Sequence, residues 1–245
     1  RPVAVLLRPP EGAGPGPLPP PAPVEAPVTV WVMGMHCSGT KALAEYVRRF
    51  FDVDVEPKAR QVPGHGKRPR GDTGTLGLPG GERLWKHTVP LEPLEFLAPA
   101  AAGGRLLVLY TVREACSWMQ SLSRHAYEFF PAGEVKRRRM GAAGWMLGEV
   151  EVRTSPRFHA DPFAGRHFES LPDLWVKYAE GYLRGSIWAG AAPPSAIVRF
   201  EDVVRRPGDV VQALERMGLP RSARAFEPIE ESLSGGADGR AALLG

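Results

Sequence analysis

Three groups of residues have the types and spacing to hold an anion and the polar chemistry around it. The first is Gly34-Met35-His36-Cys37-Ser38-Gly39-Thr40-Lys41, whose two glycines have the G-x4-G spacing of a phosphate loop. An apolar run over Val28–Met33 suits a buried strand, and Lys41–Phe51 after the glycines suits a helix. A helix start presents backbone N–H groups and about half a positive charge, so the N–H groups of Ser38, Gly39, Thr40 and Lys41 are expected to bind an anion. The hydroxyls of Ser38 and Thr40 are expected to add donors. An ordinary strand–helix turn is the plainer alternative. The nucleotide-hydrolase signature ends Gly-Lys-Ser/Thr, whereas Gly39-Thr40-Lys41 exchanges the last two residues.

The second group is Arg113 and, eight residues on, Ser121. Arginine offers a permanently charged fork that suits phosphate, and serine adds a hydroxyl beside it. The third is Lys86-His87-Thr88. All three groups fall where a strand is expected to end, and in an open parallel sheet ligands bind outside the carboxyl ends of the strands.

The elements that must position these groups alternate. A short strand is expected at Val53–Pro57, and Pro57–Arg83 is too poor in apolar residues for the core and reads as a surface loop. Strand character returns at Arg83–Thr88, and Leu91–Ala102 has a helical pattern. Arg105–Arg113, "RLLVLYTVR", is an unbroken apolar run that suits a central strand covered on both faces. Helices are expected at Glu114–Phe130, Leu171–Gly190 and Arg206–Leu219, with a strand at Ser195–Phe200. Strand–helix alternation with buried strands predicts a doubly wound α/β fold with a mostly parallel sheet flanked by helices.

The first 27 residues carry ten prolines and little apolar periodicity, which predicts an extended linker or stalk, with a single domain over 28–245. The 245 residues carry a net charge of +4, which favours anionic ligands but falls short of an argument for nucleic acid. Basic clusters stand at Lys67–Arg70 and Lys136–Arg139. The two cysteines, Cys37 and Cys116, exclude a disulfide-rich scaffold and have no metal-ligand spacing, while one bridge between them stays open. No apolar run reaches the ~18 residues of a membrane span.

Taken together these stretches resemble the sulfotransferases that use 3′-phosphoadenosine 5′-phosphosulfate, a family with a P-loop-like fold. Gly34, Ser38, Gly39 and Thr40 match its G-x-x-x-S-G-T loop. Arg113 and Ser121 match its arginine and serine eight residues apart, and Arg199–Glu201 with Asp202 resembles its R-Y/F-E-D strand end. The resemblance spans about Val28–Pro220. It implies that the loop (Gly34, His36, Cys37, Ser38, Gly39, Thr40, Lys41) grips the 5′-phosphosulfate and that Arg113 and Ser121 hold the 3′-phosphate. A loop of this kind needs no lysine on a γ-phosphate and no magnesium, so no metal is implied and the exchanged order is accounted for.

The resemblance also implies an acceptor hydroxyl or amine and a general base. His87 is the first choice for the base, with an ordinary pKa near 6.5, and Glu92 or Glu95 the second; Lys86 is expected to help hold the sulfonate. Family members commonly carry a basic residue immediately before Ser-Gly-Thr. Here that place is Cys37, so Lys41, His36 or Lys86 is left to supply the charge. The basic clusters suit an acidic glycan or protein segment as acceptor, without a nucleic acid or membrane partner. A stalk before a basic domain resembles lumenal Golgi members of the family, with a cytoplasmic home as the alternative. Two other readings are a catalytically weakened, sulfotransferase-like binding protein and a P-loop nucleotide kinase.

Overall fold

The computed structural model describes residues 4–5, 29–56, 75–77, 83–89, 106–124, 129–131, 148–153, 163, 165–187 and 193–229. In chain order these form β1 (Ala4–Val5), β2 (Thr29–Gly34), α1 (Thr40–Phe50), β3 (Asp54–Glu56), β4 (Thr75–Gly77), β5 (Arg83–Trp85) and β6 (Leu106–Val112). They continue with α2 (Ala115–Arg124), β7 (Phe129–Pro131), β8 (Val150–Val152), β9 (His167–Phe168) and α3 (Leu171–Ile187). The chain then forms β10 (Ser195–Arg199), α4 (Phe200–Arg205) and α5 (Pro207–Arg216).

Five strands make one sheet in the order β1-β10-β6-β2-β3, every neighbouring pair parallel. From β2 the chain passes through α1 to β3 on one side, and β6 and β10 lie on the other. The strand order therefore reverses between β2 and β6, and their carboxyl ends carry Gly34 and Arg113. That is the switch point where open α/β sheets leave a crevice.

Alternation along the strands divides the core in two. Trp31, Met33, Val108, Tyr110 and Ile197 pack on one face with Trp118, Met119 and Leu122 of α2 and Leu174, Tyr178 and Tyr182 of α3. Val30, Val32, Leu107, Leu109, Ala196 and Val198 pack on the other with α1 (Leu43, Val47, Phe50) and α5 (Val210, Val211, Leu214). A parallel sheet with both faces covered needs strands apolar at every position, and the six residues from Leu106 to Thr111 are all buried. α5 starts with Pro207 in its first turn, and the chain turns away at Gly218 in the left-handed region, φ 95°.

Several expectations change. Arg83–Thr88 does not join the parallel sheet: β5 ends at Trp85 and pairs antiparallel with β4, inside the stretch expected to be loop. A single leucine in "TLG" leaves no periodicity from which to read that strand. The helix expected to reach Phe130 is described only to Arg124, and Phe129–Pro131 is instead a strand of a second, antiparallel sheet, β7-β8-β9. Aromatic residues favour strands, and Phe129 is fully buried against Trp118. In the proline-rich segment Ala4–Val5 runs parallel to β10. Leu91–Ala102, both basic clusters, Glu92 and Glu95 lie outside the described residues.

Leu109 is fully buried mid-strand between β10 and β2. Leu109→Ala is expected to cost about 2–5 kcal/mol of stability, read as a lower urea midpoint.

Candidate functional site

The site is built around Gly34, the last residue of β2. Its register partner on β6 is Thr111, and a Cβ at position 34 would lie 1.9 Å from Thr111 Oγ1 and 2.5 Å from its carbonyl oxygen. Only glycine permits that approach. The Gly34 N–H donates to the Lys86 carbonyl (2.9 Å), the Met35 N–H donates to the Thr111 carbonyl (3.2 Å), and the Gly34 carbonyl lies 2.6 Å from His87 Nδ1. One residue thus joins β2, β6 and the turn that follows β5.

After Gly34 the loop folds on itself. Ser38 Oγ donates to the Met35 carbonyl at 2.6 Å and meets Thr111 Oγ1 at 2.7 Å, while the Ser38 N–H reaches the same Met35 carbonyl at 3.3 Å. Ser38 is buried, so the expectation that its hydroxyl and N–H face a ligand is not met. Both groups instead hold the turn closed. Cys37 takes the left-handed conformation, φ 55°, and Gly39 does so at φ 78° as the residue before α1. For cysteine that conformation costs on the order of 1 kcal/mol. A Cβ on Gly39 would sit 2.6 Å from the Phe200 ring.

α1 begins with no side-chain cap and no acidic residue in its first turn. The N–H groups of Thr40, Lys41 and Ala42 have no intrahelical acceptor by geometry, and the dipole makes this end positive. Lys41 is exposed in that turn, and Thr40 is buried.

Arg113, just past β6, reaches into the loop. Its Nη1 donates to the Cys37 carbonyl at 3.1 Å, its Nε donates to Ser117 Oγ at 3.1 Å, and its Cζ stands 4.4 Å from the centroid of the Phe200 ring. Trp175 Nε1 donates to the Arg113 carbonyl at 2.8 Å. Partial burial lowers the pKa of the guanidinium, which Cys37 and Glu201 oppose, and it keeps its charge. Ser121 stands one turn beyond Ser117 on the same face of α2, about 6 Å further along the axis.

The start of α2 differs from that of α1. The Glu114 carboxylate accepts the N–H groups of Cys116 (2.9 Å) and Ser117 (2.8 Å), which hold its pKa below the usual carboxylate range. The Glu114 N–H in turn donates to Glu201 Oε1 at 3.0 Å, tying α2 to α4.

On the other side of Gly34 lie two imidazoles. His36 and His87 stack with centroids 4.1 Å apart and planes 20° from parallel. Trp85 stands edge-on to both, and Phe129 edge-on to His36. Trp118 Nε1 donates to the His36 carbonyl at 2.7 Å. Since a carbonyl only accepts, His87 Nδ1 carries the proton that bonds Gly34, and the lone pair is on Nε2. Burial, and then the charge of Lys86, lowers the His36 pKa to about 3. Burial, then His36 and Lys86, hold His87 well below the ordinary imidazole range, against the opposing pull of the Gly34 bond.

These positions revise three expectations. His36 is buried and neutral, so it brings no positive charge to the loop beside Cys37. His87 is in its basic form at neutral pH but is a weaker base than an ordinary imidazole. Cys37 and Cys116 are both free thiols. Among the described residues no group of histidine, cysteine and acidic side chains is arranged to hold a metal ion. Trp118 is fully buried, and Trp175 holds the Arg113 carbonyl.

Thr111 and Ser117 were not singled out from the sequence, and Phe200 and Glu201 stood out only as part of the strand-end motif that follows Arg199. Ser117 was findable, as it lies four residues from both Arg113 and Ser121. Thr111 was not, because its part depends on the register between two strands. No family model, no curated protein and no solved structure matches this chain.

Two outcomes follow for this cluster. Gly34→Ala is expected to destabilise the fold by roughly 3 kcal/mol, read by chemical denaturation, because Thr111 is backbone-anchored and cannot retreat. The unfolded chain protonates His36 near pH 6.5 and the folded protein only near pH 3, so its contribution to stability is full above pH 6.5. Below that pH it falls by up to about 1.4 kcal/mol per pH unit. Urea midpoints measured from pH 7 to pH 5 should drop in the wild type and drop less in His36→Phe.

Proposed function

We propose that this chain transfers a sulfuryl group from 3′-phosphoadenosine 5′-phosphosulfate to a hydroxyl or amine of an acceptor, through a P-loop-like sulfotransferase site. The observation that carries this reading is the bond from Arg113 Nη1 to the Cys37 carbonyl. It brings a strand-end arginine against a glycine turn whose helix start is uncapped, at the point where the strand order reverses. This supports two neighbouring anion grips, as one adenosine with phosphate at both ends of its ribose requires.

In this reading the N–H groups at the start of α1, with Lys41, hold the 5′-phosphosulfate. Arg113 and Ser121 hold the 3′-phosphate, with Ser117 fixing the Arg113 fork. His87 Nε2 accepts the proton of the acceptor hydroxyl as the acceptor oxygen bonds to sulfur. The bond from sulfur to the phosphate oxygen breaks, and Lys41 and Lys86 offset the charge left on that oxygen. The products are a sulfate ester and 3′,5′-diphosphoadenosine. An acidic glycan or protein segment as acceptor, and a Golgi setting, rest on the basic clusters and on the family resemblance.

A donor-binding protein without turnover is the second reading. What favours it is the absence of a fixed cation at Cys37 together with the neutral His36 and the depressed basicity of His87. Incubation with the sulfate donor and a panel of acceptors separates the two, since any turnover removes the second. A nucleotide kinase has less support, because Thr40 and Lys41 stand in exchanged places for a magnesium-bound phosphate loop.

3′,5′-diphosphoadenosine is expected to raise the melting temperature more than ADP or ATP with magnesium. Arg113→Ala should weaken its binding by about 2 kcal/mol, roughly 30-fold, by titration calorimetry. Equal affinity in the variant would remove Arg113 from the nucleotide site, and preference for ATP with magnesium would remove the donor assignment.

A further inference from the structure

Between the turn after β5 and the loop after β2, the protein stacks one histidine on another. We infer that His36 is a positioning residue for His87: its flat, neutral ring holds the His87 imidazole with Nδ1–H on the Gly34 carbonyl and the lone pair on Nε2. This rests on the reading of His87 as the proton acceptor, although the placement itself can be measured without turnover.

The geometry carries the argument. Among the described residues the His87 ring has one polar tie, Nδ1 to the Gly34 carbonyl at 2.6 Å, and one such tie leaves rotation about that axis open. Two flat contacts close it: His36 stacks at 4.1 Å with planes 20° apart, and Trp85 meets His87 edge-on at 5.0 Å, 85°. His36 is itself fixed on its other sides by Trp85 at 4.7 Å and Phe129 at 4.9 Å, both edge-on. Its backbone is fixed by the Trp118 indole on its carbonyl. Tyr182 reaches the His87 carbonyl from α3 at 3.5 Å.

Aromatic stacking at such distances orients rings as well as attracting them. Among the described residues the charged and titratable groups around the pair are Lys86 from the same turn, Lys41 from α1 and Tyr182 from α3. The two lysines oppose a proton on His87 and the Tyr182 hydroxyl bonds its carbonyl, so these groups favour the neutral ring. Burial keeps His36 neutral too. As a neutral plate it works through shape, which predicts that phenylalanine replaces it and an aliphatic residue does not.

The test is long-range 1H–15N NMR of the His87 ring in the full chain, with His36→Phe, His36→Leu and His36→Ala. Wild type and His36→Phe should show one tautomer, protonated at Nδ1, and no titration from pH 8 to pH 5.5. His36→Leu and His36→Ala should show mixed tautomers and a midpoint moved at least one pH unit towards 6.5. If His36→Ala fails to fold, the Phe and Leu pair decides. In a sulfation assay, His36→Leu should lower kcat about tenfold with the donor KM within twofold. A wild-type tautomer in His36→Leu would overturn the inference, as would mixed tautomers in His36→Phe. Absence of sulfation in the wild type would count against the reading of His87 as a proton acceptor and leave the NMR result to judge the placement.

Discussion

The close approach of β2 and β6 where Gly34 faces Thr111 is the constraint on which the site depends. With no side chain at position 34, the Thr111 hydroxyl can meet Ser38, and the turn after β2 closes over the end of β6. The same glycine offers its N–H to Lys86 and its carbonyl to His87, so the turn after β5 is docked by main-chain groups. A side chain here would separate three segments at once. The phosphate-loop look of the sequence thus has a mechanical basis. Its first glycine serves strand contact, and its second, Gly39, serves both the left-handed turn and the fit against Phe200.

Around that constraint the polar groups fall into two environments. Arg113 is partly exposed and braced by Ser117, Phe200 and the Cys37 carbonyl, a setting in which a guanidinium keeps its charge while its direction is fixed. His36 and His87 sit among Trp85, Phe129 and Trp118, where a charged imidazole is disfavoured and the neutral form persists. The turn thus separates a fixed cation on one side from neutral imidazoles on the other.

Much of this was legible locally. The Leu106–Val112 run announces a strand covered on both faces, and it proves central, with two cores on its two sides. The β2–α1 turn is equally readable from its glycines and the helical stripe that follows. The antiparallel sheet β7-β8-β9 was not, because strands of three, three and two residues carry no periodicity. Nor was the fate of His36. Its burial follows from Trp85 and Phe129, residues distant in sequence, so a histidine beside a phosphate loop looked like a ligand group. Ser38 misled for the same reason: its hydroxyl is suited to a ligand but is satisfied by Met35 and by Thr111 across the strand pair.

The three helices that begin just beyond β2, β6 and β10 are unequally screened. α2 has its first N–H groups neutralised by Glu114, and α4 opens with Glu201 and Asp202, whereas α1 has no acid in its first turn. Two of the three positive poles along this rim are therefore cancelled from within the chain. Of these three helix starts only that of α1 keeps its dipole unopposed, so the chain singles out one of them for an incoming anion by screening the other two.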